Sequence, residues 1–117
     1  MRVFAVLLVL ALTVGCNDED LLGDEAPPLR RDVQATASLA FNPPNVTIRE
    51  GGSINFIFQS VAHNVIFTDV PGAPTDIEDA PSSQTRNVEF PTAGTFPYAC
   101  DIHPTMTGTI TVAELEN

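Results

Sequence analysis

From residue 32 to residue 113 the apolar side chains recur at every second position in short runs, and Pro, Gly, Asn or Ser interrupts each run before a helical repeat can establish itself. Such a chain can bury one face of short strands but not one stripe of a helix. Val33, Ala35, Ala37 and Leu39 alternate with Asp32, Gln34, Thr36 and Ser38, which predicts a first strand, and Val46 with Ile48 marks a second beyond Asn42-Pro43-Pro44. Gly51-Gly52 turns the chain into Ile54, Phe56 and Phe58, the heaviest apolar set on one face and the expected anchor of the core. Further strands are expected over 63–69, 85–90, 95–100 and 107–113, with a long connection over 70–84 that has room for a turn of helix. The expected fold class is all-β, a Greek-key sandwich of seven to eight strands.

The 117 residues suffice for one compact domain. Met1-Arg2 followed by apolar or small residues from Val3 to Val14 reads as an export leader, because twelve such residues fall short of the roughly 20 that a spanning helix needs. Leu12-Thr13-Val14-Gly15-Cys16 resembles a bacterial lipobox, with Thr13 where Leu is usual, so Cys16 is either a lipidated new N-terminus or is discarded with the leader. Residues 17–31, acidic and carrying Pro27-Pro28, are expected to form a flexible tether, leaving 32–117 as the folded domain. The expected location is outside the cytoplasm, in the periplasm or at the cell surface, with a membrane tether if Cys16 is lipidated.

Fifteen Asp and Glu against five Arg and Lys give a net charge of -10. Nucleic acid is thereby excluded as a partner, and encounter with basic surfaces is favoured. Asp76, Glu78 and Asp79 read as solvated loop charges. Cys16 and Cys100 are the only cysteines, and a disulfide between them would require both to survive processing in one folded unit. Metal ligation is one way for an exported chain to keep an unpaired thiol.

Chemistry concentrates in Cys100-Asp101-Ile102-His103-Pro104-Thr105-Met106. Alternation puts Phe96, Tyr98 and Cys100 on one inward face, and Pro104 stops the strand from continuing, so a tight loop can turn His103 and Met106 back toward the sulfur. His63, the only other histidine, stands at the head of an apolar strand and completes a set of thiolate, two imidazoles and thioether. One copper ion is the expected cofactor, since copper accepts a weak axial thioether beside a His2Cys set, whereas zinc favours further Cys, His or carboxylate.

These residues resemble the cupredoxin family of type 1 blue-copper proteins, in particular its plastocyanin-like and amicyanin-like members. The resemblance runs over most of residues 39–113 and rests on Phe41 and Pro43 ahead of Val46-Thr47-Ile48, on His63-Asn64-Val65, Val88-Glu89-Phe90 and Gly94-Thr95-Phe96, and on Tyr98-x-Cys100-x-x-His103-x-x-Met106 with Gly108-x-Ile110-x-Val112. It implies metal ligation by His63, Cys100, His103 and Met106, with His103 at the solvent edge as electron port. It also implies that Asn64 ties the two ligand-bearing loops together and restrains the sulfur. The gap between His103 and Met106 is similar to the short amicyanin loop. Apolar surroundings are expected for His103, from Pro104 and from Pro43 or Pro44, with the acidic residues further out.

The function so implied is one-electron transport between exported redox proteins, basic ones such as a cytochrome being the expected partners of a monomeric carrier. Catalysis is not expected, because four protein ligands leave no open position. Two alternatives use the same residues: a module for copper delivery or resistance, and a thiol enzyme in which His63 or His103 activates Cys100.

Overall fold

A computed structural model describes residues 26–115; the leader, Cys16 and the tether up to residue 25 lie outside the described residues. Among the described residues, eight strands form two four-stranded sheets. In chain order they are β1 (Arg30–Ala35), β2 (Phe41–Asn42), β3 (Asn45–Arg49), β4 (Gly52–Phe58), β5 (Ile66–Phe67), β6 (Gln84–Phe90), β7 (Gly94–Ala99) and β8 (Thr107–Ala113). One sheet runs β2-β1-β4-β6 and the other β3-β8-β7-β5. The β1–β4 and β3–β8 pairs are parallel, from Arg30 opposite Ser53 and from Asn45 opposite Thr109, and the remaining ladders are antiparallel.

The period-two pattern decides what is buried. Val33 and Ala35 of β1, Ile54, Phe56 and Phe58 of β4, and Val88 and Phe90 of β6 face Val46, Ile48, Phe96, Tyr98, Ile110 and Val112 of the other sheet. Aromatic edges interlock across the gap, with Tyr98 meeting Phe41 at 4.7 Å and Phe56 at 5.4 Å between ring centroids, both T-shaped. Each such ring contributes about 1.5–3 kcal/mol by leaving water.

Three expectations from the sequence change in detail. Ala37 and Leu39 leave the first strand, because Thr36 N donates to Ala40 O (2.9 Å) and Leu39 N to Thr36 O (3.0 Å), closing a turn in which Leu39 adopts φ 67°. The strand instead reaches back to Arg30 and Arg31, which composition alone had assigned to the tether, since the carbonyls of Pro28 and Leu29 accept from Arg49 N and Ser53 N. The fourth strand shrinks to Ile66–Phe67 because its first residues bond elsewhere, His63 N to Pro81 O and Val65 N to Ile77 O.

The 70–83 connection holds no helix among the described residues; it is pinned by side chains. Asp76 Oδ1 accepts from Phe67 N at 2.8 Å, and Asp79 takes two hydrogen bonds from Arg86, which also hold its carboxyl below the usual range. Two of the three acids read as merely solvated therefore fasten the loop.

Gly108 lies opposite Tyr98 in the β7–β8 ladder, with the phenol laid across it. A Cβ there would collide with the Tyr98 ring and hydroxyl and would sit 2.9 Å from Pro44 O. Gly108→Ala is expected to destabilise the domain by about 1–3 kcal/mol through overpacking, seen as a lower urea midpoint.

Candidate metal centre

The ends of two elements meet at one pole of the sandwich. Cys100 follows β7 directly, and the next six residues return the chain to β8: Cys100 N donates to Met106 O (2.9 Å) and Met106 N to His103 O (2.8 Å), so the loop closes on its own backbone. From the other side comes the stretch after β4, which delivers His63 and Asn64. Cys100 and His63 are fully buried and Met106 is 1 % exposed, whereas His103 is half-buried and reaches the surface.

Three donor atoms converge there. His63 Nδ1 and His103 Nδ1 are 3.1 Å apart, and Cys100 Sγ lies 4.0 Å from the first and 3.7 Å from the second. Donors bonded at about 2.0–2.3 Å to a common ion, at angles of about 100–135° to one another, would be about 3.1–4.0 Å apart, so the spacing suits a single first-row ion. Met106 ends the same loop and is buried.

The state of His63 follows from its partner. Its Nε2 is 2.8 Å from the carbonyl oxygen of Thr36, and a carbonyl can only accept, so Nε2 carries the proton. In the neutral ring Nδ1 then bears a lone pair, aimed at the donor cluster. Sequence reasoning missed Thr36, and no residue type could have flagged it, because the contact belongs to its main chain.

Asn64 is 8 % exposed and joins both ligand segments: its Oδ1 accepts from Asp101 N at 2.7 Å, and its own N–H donates to Cys100 Sγ at 3.5 Å. The second contact restrains the sulfur from the His63 side. Around His103, Ile102 (47 % exposed) and Pro104 form an apolar surface, and Leu39 (44 %) projects from the turn that holds Thr36. Pro44 lies beside Gly108. Asp101 is exposed within the ligand loop itself, so one acid sits closer to the centre than the sequence suggested.

The family model described as copper binding proteins, plastocyanin/azurin family, matches residues 29–113. The chain belongs to this family. This cupredoxin is 35% identical to amicyanin-alpha of Methylorubrum extorquens over 91 residues, covering 75% of this chain and 76% of that protein. It is 33% identical to plastocyanin of Scenedesmus fuscus over 89 residues, covering 66% and 90%. Among solved structures, a reduced Cu(I) amicyanin variant superposes with a TM-score of 0.61 at 28% identity, covering 77% of this chain and 84% of that one. A copper-containing nitrite reductase from Thermus scotoductus superposes at 0.62 and 27% identity, but the match covers 76% of this cupredoxin and only 23% of the enzyme.

Beneath the centre, Tyr98 is 2 % exposed, and burial pushes its phenol well above the ordinary pKa of 10.0. The folded state therefore holds the proton more tightly than the unfolded one. Stability is fully present below about pH 10 and is lost as pH rises from there toward the folded value. An alkaline titration is expected to show the phenolate band appearing together with cooperative unfolding, not ahead of it.

Proposed function

We propose that His63, Cys100, His103 and Met106 hold one type 1 copper ion and that the protein is a one-electron carrier. The convergence of two imidazole Nδ1 atoms and one thiol, all within 4.8 Å of one another, is the observation that carries this reading. Copper in such a set supplies a Cu(II)/Cu(I) couple, and the soft sulfur ligands suit the reduced state.

The protein's own part is to keep the donors still. His63 is fixed in one tautomer by Thr36, Cys100 is restrained by the Asn64 amide, and the ligand loop is closed by its own backbone hydrogen bonds. A donor set held from behind changes little between oxidation states, which keeps reorganisation small and transfer fast. Of the three converging donors only His103 reaches the surface, so electrons are expected to pass through its ring edge, with Ile102 and Pro104 as the contact for a partner.

The alternatives gain no support from the geometry. A thiol nucleophile needs access, and Cys100 is fully buried between two imidazoles. Copper delivery is favoured by exposed ligands, whereas here three of the four proposed ones are buried. The apolar leader and the cysteine at position 16 support export to the periplasm or cell surface, with lipidation as the means of anchoring. The acidic net charge supports a basic redox protein as partner, and the carrier would act without catalysing a reaction of its own.

Reconstitution with Cu(II) is expected to bind one equivalent and to give an intense blue colour that bleaches and returns through one-electron cycles. Cys100→Ser is expected to remove the colour. A colourless wild-type complex would refute the assignment.

A further inference from the structure

The carbonyl that holds His63 is only as steady as the turn that carries it. Residues 37–40 of that turn are all exposed, so packing does little to fix it. Internal bonds shape it: Ala40 N donates to Thr36 Oγ1 (3.2 Å), and Thr36 Oγ1 lies 3.0 Å from Ser38 Oγ. Neither ties the turn to the segment that bears His63.

Beyond the His63 contact itself, that tie comes from Gln59, the first residue after β4. Its main-chain N donates to Ala35 O (3.0 Å), and its carbonyl accepts from Ser83 N (2.7 Å). Its side chain does something different. Oε1 accepts from Ala37 N at 3.1 Å, and Nε2 donates to Gln34 Oε1 at 3.1 Å. The Ala37 N–H and the Thr36 C=O are two ends of one planar peptide unit. One end is gripped by Gln59 and the other by His63 Nε2. The result is an unbroken chain of amide hydrogen bonds from Gln34, through Gln59 and the 36–37 peptide, to the imidazole.

We propose that Gln59 is a positioning residue for the metal centre, acting through the 36–37 peptide to hold and polarise the carbonyl that orients His63. This rests on His63 being a copper ligand. Donation into Gln59 Oε1 pins the peptide plane against rotation about its flanking bonds. Because hydrogen bonds in series polarise one another, it also strengthens the carbonyl as an acceptor. Water can satisfy the Ala37 amide if Gln59 is shortened, but mobile water cannot fix its direction.

The test compares copper(I)-loaded wild type, Gln59→Leu and Gln59→Glu by proton NMR exchange of the His63 Nε2–H and by the rate of copper loss to a chelator. Gln59→Leu keeps the main-chain bonds at 59 but removes the acceptor. Exchange and copper loss are expected to quicken about two- to tenfold, the range set by one hydrogen bond, while the urea midpoint of the copper-free domain stays close to wild type. Gln59→Glu keeps an oxygen facing Ala37 N and is expected to stay near the wild-type rates. If wild type binds copper yet Gln59→Leu leaves both rates unchanged, or Gln59→Glu is as impaired as Gln59→Leu, the proposal is overturned. A wild-type protein that binds no copper would instead sink the ligand assignment, which separates the two failures.

Discussion

A fully buried imidazole cannot leave its N–H without an acceptor, and the centre is organised around how His63 meets that demand. Its Nε2 is committed to the Thr36 carbonyl, so its Nδ1 must face the cluster as a lone pair. For Thr36 to be there, the end of β1 must arrive beside the segment that leaves β4. The parallel β1–β4 ladder, in register from Arg30–Ser53 to Ala35–Phe58, brings this about. Sheet topology and ligand protonation are therefore linked through one contact.

The opposite wall is built by a different device. Cys100 inherits its inward direction from β7, and the loop after it closes through two backbone hydrogen bonds and packs through the buried Met106. Asn64 then couples the two walls, touching the Asp101 amide and the Cys100 sulfur from the His63 side. Breaking either wall would release the other, since each supplies what the other's polar groups need.

Much of this was legible in the chain. Alternation at Ile54, Phe56 and Phe58 and at Phe96, Tyr98 and Cys100 announced the inward faces, because side-chain direction in a strand follows sequence parity. The ligand types in 100–106 and His63 were visible for another reason: thiol, imidazole and thioether fall within one seven-residue stretch, and a single further histidine completes the set. What escaped notice was set by main-chain atoms and long-range pairing. The turn at 36–40, the short β2, the Val65–Ile77 bridge and the Thr36 carbonyl all depend on backbone groups that every residue carries alike. Ala37 and Leu39 kept strand parity yet lie outside the sheet, so period-two spacing marks which side chains could share a face, not where a ladder ends.

The direction of β1 has one further consequence. Its six residues run about 20 Å from Arg30 to the turn that touches His63, so the described chain enters the sandwich at the end remote from the donor cluster. Anything attached upstream of residue 26 would hold the molecule by its foot, and the ring edge of His103 would point outward, free for collision with a passing protein.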